Sequence, residues 1–259
     1  MLFSDSDYYK INNINKMKKI CFAFLIEDII NQEEIWFDFF KSIEGKYFEI
    51  VIHSKNEPKL NFINTISNIH INKVHTEWGR LQKVGNFLLE CAKNLECDKL
   101  ILLSHSCIPI KSSEFIFDYL NNDKNIIMYS KPWWKEDRNT SHFSFIMGNH
   151  QWCVIDKKHF NLFLQDSDRL FFEDRVWCPD ECYFSSILNK YNLLNEEEVI
   201  NLTSTFVDWD RSPNGHSPYT FKYFNQYDLE LIKKLKDDNQ TLFIRKVDKD
   251  FDKRLLDFK

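Results

Sequence analysis

The acid pairs are the first residues in this chain whose spacing suggests chemistry. Asp-x-Asp occurs at Asp5/Asp7, Asp166/Asp168, Asp208/Asp210, Asp248/Asp250 and Asp250/Asp252. Two carboxylates so placed can hold a hard divalent cation against phosphate oxygens. Such pairs arise readily among 39 acidic residues, so their position in the fold has to decide. Pro179-Asp180-Glu181 sets two further acids side by side. Taken alone it reads as a helix start, since proline suits the first helical position and acids complement the helix dipole. The cysteines at 21, 91, 97, 107, 153, 178 and 182 lack paired Cys-x-x-Cys zinc spacing and read as buried free thiols. Trp133-Trp134 sits in an aperiodic stretch, 130–151, where adjacent indoles either face a flat partner such as a sugar or plug the core.

Several chemistries are excluded at once. Five glycines supply neither a G-x-G-x-x-G nor a P-loop, which removes a Rossmann dehydrogenase and a P-loop kinase. Lys and Arg total 34 against 39 acids, a net charge of −5, which argues against a partner bound through nucleic-acid phosphates. An apolar fraction of 43% with 28% charged residues is that of a globular chain rather than a disordered one. The apolar run Ile20–Ile26 is seven residues long, far short of the roughly twenty a membrane helix needs. It lies behind a polar segment, 4–15, with no small-residue cleavage site after it, so the expectation is a soluble, cytoplasmic protein. Sequons beginning at Asn139, Asn201 and Asn239 carry little weight without a secretory signal.

The elements that would position these residues alternate in type. The continuous apolar run at 20–26 and the apolar-rich segments at 47–53, 100–103 and 125–129 predict buried strands. Between them, 33–43 and 81–95 carry apolar residues three and four apart, as amphipathic helices do, and Ser112-Ser113 caps another helix. A strand at 152–155, helices from 157 and 179, a helix at 229–235 and a strand at 242–244 follow. The order predicts an α/β fold with a mostly parallel central sheet, helices on both faces and ligand at the carboxyl ends of the strands. No internal repeat or linker divides residues 1–259, which read as a single domain.

Six runs give that frame a family likeness. They are Val74-His75-Thr76-Glu77-Trp78-Gly79-Arg80, Leu102-Leu103-Ser104-His105-Ser106-Cys107-Ile108-Pro109-Ile110, Gln151-Trp152, Cys178-Pro179-Asp180-Glu181-Cys182-Tyr183, Phe206-Val207-Asp208-Trp209 and Leu242-Phe243-Ile244-Arg245-Lys246. In this order and spacing the chain resembles the Core-2/I-branching β-1,6-N-acetylglucosaminyltransferase family, which also includes protein xylosyltransferases. The plant-type branch is most alike, over about residues 18–247.

The resemblance implies a GT-A-like, inverting transferase that uses a UDP-sugar donor and a glycan or glycoprotein acceptor. The family's base falls on Glu181, where a carboxylate would take the acceptor hydroxyl's proton. The family's lysine for the departing UDP falls on Lys246. Animal members add an arginine where this chain reads Ser217-Pro218-Tyr219-Thr220, so Arg245 or Arg211 would substitute. The strand at 100–103 leads into Ser104-His105-Ser106-Cys107 without an acid, which implies no metal cofactor and leaves Ser104 and His105 to face donor phosphates. The second strand ends His53-Ser54-Lys55, lacking the Asp of the family's uracil- or ribose-contacting motif, so His53 and Lys55 are the donor candidates there. Trp152 and Trp209 match acceptor-side aromatics, with Asp180, Trp133 and Trp134 placed beside them. The resembling enzymes are mostly Golgi membrane-anchored. Competing expectations are a degenerate transferase fold that only binds glycan or nucleotide, and a metal-dependent GT-A enzyme using one of the Asp pairs.

Overall fold

The computed structural model describes residues 17–43, 47–77, 79–132, 140–141 and 143–256. Ile20–Ile26 (β1) and Phe48–Ser54 (β2) pair in parallel, as do β1 and Lys99–Ser104 (β4), and β2 and Ile69–Asn72 (β3). Beyond β4 the sheet continues through Val154–Asp156 (β9) and Asn125–Ile126 (β6) to Val199–Ile200 (β10). The order is β10-β6-β9-β4-β1-β2-β3; β9 runs antiparallel to both of its neighbours. The expected mostly parallel sheet is therefore present, with one reversed strand inside it.

Strand β1 is apolar throughout because both of its faces are covered. Phe22 and Phe24 point to one core, with Trp36, Phe39 and Phe40 of Glu33–Ser42 (α1) and Ile116, Phe117 and Leu120 of Ser113–Leu120 (α3). Cys21 and Ala23 point to the other, with Val84, Leu88 and Ala92 of Gln82–Asn94 (α2). Phe160–Gln165 (α4), Arg169–Arg175 (α5) and Tyr183–Lys190 (α6) close the same side through Phe163, Phe172 and Phe184. This period-two division between two buried faces is what a strand with helices on either side requires. Trp36 is fully buried; it stacks on Phe243 at 5.8 Å and donates its indole N–H to Cys107 C=O at 2.8 Å. Ser112 caps α3 as expected, its Oγ accepting the Phe115 N–H at 3.2 Å. No helix among the described residues is long and apolar enough to cross a membrane.

A second sheet was not legible as such in the sequence. Thr205–Val207 (β11) pairs in parallel with Phe243–Arg245 (β12), which pairs antiparallel with Ile108–Pro109 (β5). Ile232 and Leu235 of Gln226–Asp237 (α7) pack on Ile108, Ile244 and Val247. A short antiparallel pair, Tyr129–Ser130 (β7) with Gly148–Asn149 (β8), takes up the end of the strand expected at 125–129. The helix expected from 179 begins later. Pro179–Glu181 forms one 3-10 turn, Cys182 leaves helical geometry at φ −152°, and α6 starts at Tyr183.

Candidate active site

The carboxyl ends of β1, β2 and β4 lie level, with Leu25 opposite both His53 and Ser104. The turn after β4 is self-contained. Ser104 Oγ lies 3.1 Å from Ser106 Oγ and 3.2 Å from Cys107 Sγ, so its hydroxyl is already engaged within the turn. His105 hangs its N–H on Leu25 C=O at 3.1 Å and accepts the Asn31 N–H on its own carbonyl at 2.8 Å. Burial, then the charges of Arg245 and Lys246, hold the His105 imidazole below its ordinary pKa, against the pull of Glu27 and Asp28.

Strand β12 delivers the two cations. The Arg245 guanidinium lies 4.6 Å from the ring centre of Trp152, and its Nε is buried without a hydrogen-bond partner. Burial depresses the affinity of Arg245 for its proton, while Cys107 and Glu181 oppose that effect. Lys246, half-buried, donates to Ser217 Oγ at 2.8 Å, and burial followed by the neighbouring Arg245 lowers its pKa. Two desolvated cations in sequence, each disfavoured by its surroundings, are stabilised when an anion arrives.

Glu181 is held by a chain of backbone contacts. Its N–H donates to Cys178 C=O at 3.1 Å, and Cys178, itself in the left-handed region at φ 47°, donates to Gly79 C=O at 2.9 Å. Gly79 stands at φ +77° with the far end of the Trp177 ring where a Cβ would lie, so its backbone conformation favours glycine. From the other side, Asn149 Nδ2 donates to Asp180 C=O at 3.0 Å. Asn149 Oδ1 accepts the Ser185 N–H at 3.2 Å and its hydroxyl at 3.0 Å, tying β8 to the turn and to α6. Glu181 opens onto a cavity of about 170 Å³, shared with Tyr129, Ser130, Asn149 and His150.

The Val247 N–H on Ser106 C=O at 2.9 Å sets Arg245 and Lys246 beside the turn that carries His105, while Asp180, the residue before Glu181, lines a space with the Trp152 on which Arg245 rests. Other sequence candidates fall differently. Trp152 is only 5% exposed, so its indole is a floor for Arg245 rather than an open acceptor platform. Asp180 shares a closed space of about 10 Å³ with Trp152 and Phe184, on the α2 side. Trp209, two residues past β11, is 48% exposed. Arg211 is spoken for: Nε meets Asp208 at 2.7 Å, Nη1 meets Asp228 at 2.6 Å, and the guanidinium lies between Tyr219 and Tyr227. A donor role would need that network to open. His53 is buried, its Nδ1 accepting the Val74 N–H at 3.3 Å and its Nε2 lacking a partner, while Lys55 is exposed just beyond β2. Trp133 and Trp134 lie outside the described residues.

The Asp-x-Asp pairs carry cations of the chain itself. Asp166 and Asp168 both bind Lys190, Asp208 binds Arg211, Asp248 and Asp250 share Lys222, and Asp252 binds Arg254. Asp5 and Asp7 lie outside the described residues, among which no group of three or more His, Cys, Asp or Glu is placed to hold a metal. Sequence reading missed Asn149 and His150. They immediately precede the Gln151-Trp152 run, but only the fold sets them against residues 180 and 181.

The family profile described as Core-2/I-Branching enzyme matches residues 20–236. The rice (Oryza sativa subsp. japonica) protein Glycosyltransferase BC10 is 22% identical over 265 residues, covering 85% of this chain. The chain spans 66% of the length of that curated relative. Among solved structures, the apo-form glycosyltransferase GlyE of Streptococcus pneumoniae TIGR4 aligns at a TM-score of 0.44 and 12% identity, over 88% of this chain and 54% of that one. The galactosyltransferase LgtC, solved with donor and acceptor sugar analogs, aligns at 0.40 and 10% identity over 86% of each chain.

Proposed function

This chain belongs to the Core-2/I-branching enzyme family, and from that premise we propose that it is an inverting, metal-independent glycosyltransferase. It moves a sugar of the GlcNAc or xylose class from a UDP-sugar to a hydroxyl of a glycan or glycoprotein. One observation carries the reading: Arg245, the sequence neighbour of Lys246, rests 4.6 Å over Trp152, and Trp152 lines a space with Asp180, the residue before Glu181. Inversion by direct displacement needs a base on one side of the anomeric carbon and positive charge on the other. Glu181 removes the proton from the acceptor hydroxyl as its oxygen bonds the anomeric carbon. The bond to UDP breaks with its electron pair, and Lys246 with Arg245 meets the charge gathering on the diphosphate. Metal independence is supported by the acid-free turn after β4 and by the lysine and arginine partners of the Asp pairs between residues 166 and 252.

The test is UDP release from a panel of UDP-sugars, with and without EDTA. Release should persist in excess EDTA and change little on adding Mn²⁺. A strict Mn²⁺ requirement would overturn the metal-free assignment. Binding of UDP-sugar without release under any condition would favour the degenerate, binding-only fold.

A further inference from the structure

His150 has no part in the chemistry described so far, yet the fold sets it against the candidate base. Asn149 is hydrogen-bonded to the carbonyl of Asp180 at 3.0 Å, so the residues that follow each of them, His150 and Glu181, are presented together. Both line the cavity of about 170 Å³ beside the β7–β8 pair. The His150 backbone is fixed by its N–H to Met128 C=O at 2.9 Å. Its Nδ1 lies 3.5 Å from Trp152 C=O, which can only accept, so the tautomer that uses this contact carries its proton on Nδ1 and leaves Nε2 as an acceptor.

We propose that His150 is a second substrate contact: Glu181 takes the reacting hydroxyl, and His150 Nε2 accepts a hydrogen bond from a neighbouring hydroxyl of the same acceptor. A ring with adjacent hydroxyls satisfies both groups from one rigid unit, whereas a serine offers a single hydroxyl and can reach Nε2 only with a backbone N–H. The site therefore selects a sugar acceptor over a peptide serine, an inference that rests on the reading of Glu181 as the base. Burial, and secondarily the charge of Arg245, keep the imidazole neutral with a pKa pushed down to about 4. A neutral ring retains the lone pair this contact needs.

UDP release is measured from UDP-GlcNAc and UDP-xylose with methyl glycosides of galactose and glucose, and with a serine-containing peptide, as acceptors. The glycosides should support release and the peptide should not. His150→Ala should raise the glycoside KM about three- to tenfold, the effect of one lost neutral hydrogen bond. Its UDP affinity should stay close to that of the parent protein, and His150→Gln, which restores an acceptor oxygen and most of the volume, should recover most of the KM loss and any loss of Tm. An unchanged glycoside KM in His150→Ala refutes the contact. So does release supported by the peptide alone, or a joint change of KM, kcat and Tm that Gln does not rescue. Glu181→Gln is run alongside. If it transfers normally, the base assignment fails and this inference with it; if it is inactive while His150→Ala is unaffected, only the His150 contact fails. Absence of release with every acceptor removes the transferase reading and this inference together.

Discussion

Replacing Gly79 with alanine tests quantitatively how the candidate base is held. An added Cβ would lie 2.7–2.9 Å from three carbons of the Trp177 ring, closer than such contacts occur. The backbone there is left-handed, φ +77°, which costs an L side chain about 1–2 kcal/mol. The methyl meets the far end of the Trp177 ring, which is 44% exposed and can shift, so the contact adds about 1 kcal/mol, the low end for an overpacked site, and the sum is about 2–3 kcal/mol, or roughly 4–12 °C in Tm for a chain of this size. Gly215 is the internal control: at φ +71° it carries the same backbone penalty with nothing within 4 Å of a new Cβ. Urea denaturation of Gly79→Ala, Gly215→Ala, Trp177→Ala and the 79/177 double variant separates the contributions. The steric part should largely vanish in the double variant, giving a coupling of about 1 kcal/mol. Because Gly79 C=O accepts the Cys178 N–H at 2.9 Å, three residues before Glu181, Gly79→Ala should also slow turnover at temperatures where it remains folded. A Gly79→Ala protein as stable as Gly215→Ala, with no coupling to Trp177, would refute the packing described here.

Glu181→Gln should fold, bind UDP-sugar and lose about 10²–10⁴-fold in transfer rate, measured by UDP release; near-normal transfer would move the base elsewhere. Lys246→Ala should weaken UDP binding by about 1.5–3 kcal/mol, the worth of a charge-assisted contact, and calorimetry that finds unchanged affinity would remove the role. Acid should destabilise the fold through His150, whose pKa is lowered from 6.5 to about 4 by burial. The unfolded chain binds the extra proton first, so this contribution is complete above about pH 6.5 and is lost as pH falls toward 4, worth about 3 kcal/mol. His150→Gln should therefore lose less stability than the parent protein over that window; identical pH profiles in urea denaturation would contradict the burial of the ring.

Elements whose signal is local are legible in the order of the amino acids alone. The run Ile20–Ile26 is apolar at every position because a strand covered on both faces has no solvent side, and that condition is legible without knowing the neighbours. The spacing at 81–95 fixed α2, and Ser112 fixed the start of α3 through its own side chain. Tertiary structure decided whatever depends on partners distant in the chain. Antiparallel β9 comes between β4 and β6, and nothing in Val154–Asp156 states its direction. Short strands such as β5 and β11 bury too few residues to print a period, and exist because β12 pairs with both. The same limit applies at the site. Trp152 and Trp209 are both candidates as residue types, yet packing under Arg245 buries the first while the second stays open. Arg211 and Arg245 are chemically identical, but Asp208 and Asp228 neutralise only Arg211. Asn149 joins Asp180 across 31 residues, and no local pattern encodes that contact. Local propensity and periodicity are properties of a segment, whereas burial, charge pairing and the meeting of side chains are properties of the folded neighbourhood, so the first could be read along the chain and the second only in space.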